Sequence, residues 1–232
     1  MSPGDFVLDI LDQVPKTGKT IVLIRHAKRD SFKGIPDSLR ESVEITPDGV
    51  LMARAFGESL RQIFPGKRIL LGHTIANRCR MTAESIQHGC QTGDDVHIVG
   101  CLPEVESVVL DPEHYVKLRE EFTWPGLMQR WLDLEVPKET LQNPHAYCEK
   151  ILGRLVSLPG VGENDLLVII AHDVTLFPII FSVFGTPVTS LEFLNGIVIT
   201  EDSSLFEIRF SDADHTLKAG WDSNRSQGYD VP

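Results

Sequence analysis

The stretch Thr20-Ile-Val-Leu-Ile-Arg-His-Ala-Lys-Arg29 joins an apolar, β-branched run to an abrupt basic end. A run of this kind is typical of a strand that is buried on both faces of a parallel sheet. Arg25 and His26 would then stand at the carboxyl end of the strand, which is where open α/β sheets bind their ligands. A nucleophilic imidazole between guanidinium groups suits an incoming phosphate. The simpler interpretation is that basic residues end the strand and enter solvent. Other motifs of the chain are needed to distinguish the two interpretations.

The order of the predicted elements indicates an α/β fold. Further strands are predicted at 68–71, 97–99, 165–171, 196–200 and 204–210. Helices are predicted after the cap Thr46, at 76–87 with Gly89 as the stop, within 137–156, and at 173–184. Strands and helices therefore alternate, which favours a three-layer α/β/α sandwich with a mostly parallel sheet. The last two strands, joined by a short turn, are expected to form an antiparallel hairpin at the sheet edge.

The 232 residues are expected to form a single domain, 1–232, with residues 103–143 as a helical, cap-like insertion over the active-site end of the sheet. This polar segment carries Trp124 and Trp131, for which packing is the simpler role. Residues 1–14 predict a short helix or a strap on the surface. The polar tail from Asp212 onward is predicted to be poorly ordered, with Trp221 as its one packed residue.

Composition excludes several classes of partner. The formal net charge of −11 disfavours nucleic acid and anionic membranes, whereas a local arginine cluster would still accept a small anionic substrate. No apolar run approaches the ~20 residues of a membrane span, and the N-terminus lacks the features of a signal peptide. The four cysteines have no zinc-like spacing and no disulfide pattern. We therefore expect reduced thiols, no metal and a cytoplasmic location, and the sequence leaves the oligomeric state open.

Three further pieces of sequence can join Arg25 and His26. Arg78 follows the strand at 68–71, at the ligand-facing edge of the sheet, whereas Arg80 is interpreted as an exposed helix residue. A second buried run ends in His172-Asp173, with Asp173 at a helix N-terminus, where a carboxylate is favoured. The simpler interpretation is that Asp173 only caps this helix. Arg29, three residues after His26, would by itself be a solvated charge.

This set of residues resembles the histidine phosphatase superfamily, which includes the histidine acid phosphatases and the cofactor-dependent phosphoglycerate mutases. The Arg25-His26-Ala27 triplet is similar to the family's Arg-His-Gly motif. The second Arg three residues after the His, and a later His-Asp pair, resemble the acid phosphatase branch. Two more segments are similar to family motifs: Glu44-Ile-Thr-Pro-Asp-Gly49 and Thr74-Ile-Ala-Asn-Arg78-Cys-Arg-Met-Thr-Ala83. The similarity runs from about Thr20 to Gly185. The chain departs from the pattern at Ala27, has no Pro after Arg29, and lacks the length of a secreted acid phosphatase.

The resemblance implies a two-step phosphoryl transfer without metal or other cofactor. His26 would attack phosphorus, and Arg25, Arg29 and Arg78 would bind the nonbridging oxygens. His172 would donate a hydrogen bond to the phosphate as an imidazolium. Asp173 would protonate the leaving oxygen, with Glu104 as the alternative, because the mutase branch places its proton donor on a Glu after a middle strand.

The resemblance implies a phosphatase acting on a small phosphorylated substrate. One alternative is a phosphoglycerate mutase-like phosphomutase or a protein phosphohistidine phosphatase, although relatives of the latter kind are usually smaller and lack a large insertion. The other alternative is a non-catalytic phosphate-binding module, which the presence of all the core residue types disfavours.

Overall fold

A computed structural model describes residues 2–91, 95–105, 107–202 and 205–222, and it contains one seven-stranded sheet. The strands are β1 Thr20–Arg25, β2 Ile69–His73, β3 Val96–Cys101, β4 Leu166–Ala171, β5 Gly196–Asp202, β6 Leu205–Ser211 and β7 Thr216–Trp221. Their order across the sheet is β3-β2-β4-β1-β5-β6-β7. The first four strands in this order run parallel, and β5, β6 and β7 are antiparallel additions on the β1 side.

The opening stretch lies near the middle of the sheet, as its apolar run predicts. β1 pairs in parallel with β4, so that Thr20 faces Leu166 and Arg25 faces Ala171. Ile21 and Leu23 belong to the core on one side of the sheet, and Val22 and Ile24 belong to the core on the other side. Because alternate side chains of a strand point to opposite faces, a strand covered on both faces is apolar throughout.

Helices cover both faces of the sheet, which confirms the predicted α/β fold. They are α1 Asp5–Gln13, α2 Pro47–Ile63, α3 Asn77–Gly89, α4 Pro112–Glu121, α5 Trp124–Leu132, α6 Pro144–Val156 and α7 Asp173–Phe184, with a short 3₁₀ helix at Asp37–Ser42. Buried residues of α1, α2 and α3 form one core, and those of α5, α6 and α7 form the other. The residues 1–14 therefore contain a helix, one of the two forms that the sequence allows.

α3 ends at Gly89, where the sequence predicts its stop, but Gly89 is itself the last helical residue and does not have the positive φ of a glycine cap. A Cβ atom at Gly89 would lie 1.9 Å from the carbonyl oxygen of Arg54 on α2, and one at Gly57 would lie 2.2 Å from that of Ile86. The two glycines thus allow α2 and α3 to approach at backbone distance. Close helix contact, rather than the end of the helix, explains why glycine stands at position 89.

The prediction of a poorly ordered tail from Asp212 is wrong for the residues up to 222. Residues 216–221 form β7, which pairs along its length with β6. Trp221 is buried, as expected, and packs 6.0 Å from the ring of Phe206. The alternation of this strand is regular, because Thr216, Lys218 and Gly220 are exposed and the residues between them are not. Its signal in the sequence is nevertheless weak, since the strand is short and Ala219 and Gly220 have low strand propensity. The predicted antiparallel pairing of β5 and β6 is confirmed, but its predicted position at the sheet edge is wrong, because β7 pairs with β6 and forms the edge. The turn at 203–204 and the last ten residues lie outside the described ranges.

The segment 103–143 contains two helices that pack differently. α5 contributes Leu127, Met128, Trp131 and Leu132 to the core, whereas α4 has no fully buried residue. The indole N–H of Trp131 donates to the carbonyl of Gln142 at 2.8 Å, so this tryptophan has a packing role. Within the described ranges, no helix has the length and apolar character that a membrane crossing requires. The cap role of the whole segment stays a prediction.

Candidate active site

The predicted site residues meet at the carboxyl ends of three neighbouring strands, β2, β4 and β1. The backbone N–H of His26, just after β1, donates to the carbonyl of Ala171 at 3.0 Å, and His172 directly follows that residue. The two imidazole rings consequently stand edge to face with 5.6 Å between their centroids. Parallel pairing of β1 with β4 is what brings together two histidines that are 146 positions apart in the sequence.

His26 is buried and held in its neutral form. Its side chain is 2% exposed, and its Nδ1 lies 2.8 Å from the carbonyl oxygen of Ala27. A carbonyl can only accept, so Nδ1 carries the proton and Nε2 keeps its lone pair. Burial, followed by the neighbouring His172 and two arginines, holds the pKa of His26 well below its usual value. The imidazole is therefore neutral, with a single ring proton, at neutral pH.

His172 is also neutral, with the opposite tautomer. Its Nδ1 lies 3.4 Å from a terminal nitrogen of Arg78, and its Nε2 lies 3.1 Å from the hydroxyl of Thr74. Since guanidinium groups only donate, Nδ1 accepts and Nε2–H donates to Thr74. Desolvation, together with the charges of nearby arginines, lowers the pKa of His172 to about 3.

Arg25 connects the nucleophile to Asp173. One terminal nitrogen of its guanidinium lies 3.3 Å from a carboxylate oxygen of Asp173, the first residue of α7. The other terminal nitrogen donates to the carbonyl of Leu191, and the guanidinium covers the ring of Phe193 at 4.4 Å. The second carboxylate oxygen of Asp173 accepts from the N–H of Val174 at 2.9 Å. Asp173 is thereby tied to Arg25, whose charge acts on the neighbouring His26.

Arg29 is held by the start of α2. The carbonyl of Lys28 accepts from the N–H of Thr46 at 2.9 Å, and Arg29 forms an isolated β-bridge with Ile45. Gly49 makes this approach possible, because a Cβ atom there would lie 2.3 Å from the Lys28 carbonyl oxygen. The Arg29 guanidinium is half-buried and covers the ring of Phe32 at 3.4 Å. Desolvation, followed by repulsion from Arg78 and Arg25, lowers the pKa of Arg29 to about 10.

Arg78 approaches from the first turn of α3 and is 8% exposed. One terminal nitrogen donates to the carbonyl of Arg40 at 2.7 Å, while the other contacts His172. Thr82, one turn later, accepts from the N–H of Ala27 at 3.1 Å and donates to the carbonyl of Arg78 at 2.6 Å. This hydroxyl joins the backbone beside the nucleophile to the turn of helix that carries Arg78.

The arginines share an unusual hydrogen-bonding state. Buried Nε atoms without a hydrogen-bond partner among the described residues occur in Arg25, Arg29 and Arg78, and also in Arg40. Buried donors are normally satisfied, so several unpaired guanidinium donors at one place indicate a site that accepts an anion. The chain as a whole is acidic, which makes this local concentration of positive charge more informative.

Other charged residues from the sequence analysis lie elsewhere. Glu104 lines a separate cavity of about 480 Å³ together with the residues that end α6, among them Ser157 and Pro159. Lys28 forms an exposed ion pair with Asp48 at 2.8 Å, and Arg80 forms one with Glu84 at 2.6 Å. Both basic residues are thus solvated, as expected. Within the described part of the chain, no group of three or more His, Cys, Asp or Glu side chains could hold a metal ion.

Sequence reasoning missed several residues that shape the site. Phe32 lies within 5.3 Å of the guanidinium carbons of both Arg40 and Arg78, and Thr74 and Thr82 accept the hydrogen bonds described above. Phe32 and Arg40 lie in the irregular segment between β1 and α2, where no periodic pattern points to them. The two threonines fall within the quoted motif Thr74–Ala83, where both are fixed motif positions without an evident chemical task.

An α/β/α sandwich with paired histidines and an arginine cluster at its strand ends defines a class of phosphate-handling enzymes. The family model "Histidine phosphatase superfamily (branch 1)" matches residues 21–221. The chain therefore belongs to the histidine phosphatase superfamily, and the resemblance to this superfamily is confirmed. The finer resemblance to the acid phosphatase branch stays a prediction. No curated protein matches the chain.

Solved structures with the same fold include three that cover most of the chain. YhfR from Bacillus stearothermophilus is 16% identical, with a TM-score of 0.56 and coverage of 81% of this chain and 94% of that one. A phosphoserine phosphatase from Entamoeba histolytica, solved with 3-phosphoglyceric acid, is 17% identical, with a TM-score of 0.53 and coverage of 78% and 90%. A mycobacterial glucosyl-3-phosphoglycerate phosphatase is 14% identical, with a TM-score of 0.51 and coverage of 88% and 97%. At these identities the similarity establishes the fold alone.

Proposed function

We propose that this protein is a phosphatase that hydrolyses a small phosphomonoester through a phosphohistidine intermediate on His26. The observation that carries the proposal is the neutral imidazole of His26, whose Nε2 has no hydrogen-bond partner among the described residues. It stands beside three arginines whose buried Nε donors are unpaired within the same ranges. A neutral nucleophile can attack phosphorus, and the guanidinium groups compensate the charge of the phosphoryl oxygens.

In the first step, Nε2 of His26 forms a bond to phosphorus while the bond from phosphorus to the leaving oxygen breaks. Arg25, Arg29 and Arg78 bind the nonbridging oxygens, for which planar guanidinium groups are geometrically suited. Nδ1 of His26 keeps its proton, and the Ala27 carbonyl stabilises the positive charge that develops on the ring. In the second step, water attacks phosphorus and restores the neutral imidazole.

Asp173 is proposed as the proton donor to the leaving oxygen, and afterwards as the base that takes a proton from the attacking water. Its ion pair with Arg25, at 3.3 Å, places the carboxyl next to the phosphate-binding group. Glu104 remains the alternative, but its cavity beside the end of α6 favours Asp173. Burial and the arginine charges keep His172 neutral in the free site. A phosphate dianion would oppose the arginine charges, so we propose that His172 takes up a proton from solvent and, as an imidazolium, donates a hydrogen bond to a phosphoryl oxygen.

The substrate is proposed to be a small molecule, and the enzyme is proposed to work in the cytoplasm as a phosphatase rather than a phosphomutase. The net charge of −11 argues against nucleic acid. The four cysteines, all described, are free thiols, which supports a reducing compartment. A mutase would have to protect its phosphoenzyme from water, and no described contact indicates such protection.

Trapping the intermediate tests the proposal. The protein is mixed with a panel of phosphate esters, quenched, and analysed for phosphate that is labile in acid, stable in base and attached to His26. His26→Ala should abolish both this adduct and the release of phosphate, and Arg80→Gln, which removes an exposed charge on α3, should change neither. Absence of adduct and of released phosphate over the whole panel would exclude the phosphatase function.

The proton donor is tested with a pair of variants. Asp173→Asn should slow esters with poor leaving groups far more than an aryl phosphate, whose leaving group needs little protonation. Glu104→Gln should affect both kinds of ester alike and weakly. The reverse pattern would assign the proton transfer to Glu104.

A further inference from the structure

Arg40 shares the features of the phosphate-binding arginines but lies one layer further out. It is part of the 3₁₀ helix Asp37–Ser42, and its backbone carbonyl accepts from Arg78. Its Nε is buried without a partner among the described residues, as in Arg25, Arg29 and Arg78. Its guanidinium lies 5.3 Å from the ring of Phe32, which also contacts Arg29 and Arg78. One aromatic ring thus separates Arg40 from the proposed phosphate site.

Arg40 belongs to a second charged cluster that α4 completes. A carboxylate oxygen of Asp37 lies 2.6 Å from a terminal nitrogen of Arg40 and 3.8 Å from one of Arg119. These side chains are partly exposed, at 22% for Arg40, 29% for Arg119 and 39% for Asp37. The guanidinium of Arg119 also lies 5.7 Å from the ring of Tyr115. The two guanidinium groups thus share one carboxylate oxygen, and all three side chains are accessible to solvent.

Tyr115, whose ring contacts Arg119, is affected by the charges of both this cluster and Asp173. Burial, followed by the charge of Asp173, raises the pKa of Tyr115, and the charges of Arg40 and Asp37 also act on it. Its hydroxyl is therefore protonated and close to both groups. A substrate whose phosphate contacts Arg29 and Arg78 would extend past Phe32 and Tyr115 toward Arg40.

Five arginines meet at this edge of an acidic chain, although three suffice to bind a phosphate. The mutual repulsion that lowers the pKa of Arg29 includes Arg40, so gathering these charges has an energetic cost. An anion on the outer pair would offset it.

We infer that Arg40 and Arg119 form a subsite for a second anionic group of the substrate, and that Asp37 occupies this subsite until the substrate displaces it. The inference rests on the proposed phosphatase function and specifies its substrate class: a small phosphomonoester with a carboxylate or second phosphate a short carbon chain away. Asp37 acts as an internal competitor, because its carboxylate is bound by the same two guanidinium groups.

The kinetic test uses three substrates with the same three-carbon chain: propyl phosphate, 3-phosphooxypropanoate and propane-1,3-diyl bisphosphate. The native enzyme should prefer the doubly anionic substrates, and the better of the two identifies the second group. Arg40→Gln should lower kcat/KM for the preferred substrate roughly 10- to 100-fold, as expected for the loss of a charge-assisted hydrogen bond, and change that for propyl phosphate about twofold or less. Arg40→Lys should recover part of the loss. Asp37→Asn should lower KM for the doubly anionic substrates only.

Arg80→Gln is the matched control, since it removes the same charge from an exposed helix position. A binding arm makes the test independent of turnover: calorimetry compares propylphosphonate with 3-phosphonopropanoate and propane-1,3-diylbisphosphonate. Tighter binding of at least one doubly anionic ligand, reduced by Arg40→Gln and not by Arg80→Gln, would support the subsite even if no phosphoenzyme formed. Equal affinity for all three ligands, or equal losses for all three substrates in Arg40→Gln, would overturn it and leave the phosphatase function intact.

Discussion

The two buried histidines predict that the protein loses stability in mild acid. The pKa of His172 is lowered to about 3 and that of His26 is lowered well below its usual value, so the folded state takes up fewer protons than the unfolded chain. The side chain of an unfolded histidine has a pKa of ~6.5. Wherever the unfolded state binds more protons than the folded state, lowering the pH lowers the free energy of unfolding. The loss therefore begins as the pH drops through about 6.5 and continues down toward the folded-state pKa.

The size of the effect follows from the shift. At ~1.4 kcal/mol per pH unit, His172 alone costs about 2 kcal/mol between about pH 7 and pH 5, and His26 adds to it in the same direction. Typical domains are stable by only ~5–15 kcal/mol, so this loss is easily measured. For a chain of this length, 2 kcal/mol corresponds to a fall in Tm of roughly 4–8 °C.

Urea unfolding between about pH 8 and pH 5 measures this loss directly, in a range above the titration of most carboxylates. In His172→Gln the loss over this range should shrink by about 2 kcal/mol, because the amide cannot take up a proton in either state. His97→Gln, at an exposed position on β3, is the control and should leave the slope as it is. Inorganic phosphate should also flatten the slope, since a bound anion stabilises the protonated rings. An unchanged slope in His172→Gln would show that the fold does not hold this imidazole neutral.

Two further variants test how the backbone positions the site. Gly49→Ala puts a methyl group 2.3 Å from the Lys28 carbonyl oxygen, so we expect a loss of about 1–3 kcal/mol in unfolding free energy and a displaced Arg29, seen as a raised KM. Gly153→Ala in α6 is the control, because a Cβ atom there meets nothing within 4 Å. It should leave KM unchanged and raise the free energy of unfolding by up to ~1 kcal/mol. Equal KM in both variants would refute the role of Gly49. Thr82→Val keeps the shape but leaves the buried Ala27 N–H unpaired, so we expect a loss of about 1–3 kcal/mol by urea unfolding together with lower kcat. Native kcat in Thr82→Val would mean that this hydroxyl does not position the nucleophile.

The local elements were largely predictable from the sequence. The bounds of β1 and α7 agree with their predictions, because a continuous apolar run and a helix that stops at Gly185 are strong local signals. β7 was not predictable in the same way. Its alternation is short and contains residues of low strand propensity, and its residues form a strand only because the unpaired edge of β6 offers hydrogen bonds. Gly89 was misinterpreted for a related reason, since its close neighbour is the backbone of another helix.

The features of the site also differ in whether a local sequence pattern could predict them. The sequence by itself determined which residues are nucleophile and arginine candidates, because His26, His172 and Arg78 follow apolar strands whose carboxyl ends share one edge of a parallel sheet. Only the tertiary structure decided the hydrogen-bond partners of the two histidines, the ion pair of Asp173 with Arg25, and the position of Arg40 beside Phe32. Tautomers, pKa shifts and unpaired donors depend on distances between distant segments of the chain. Packing across the sheet sets these distances, and no local sequence pattern predicts them.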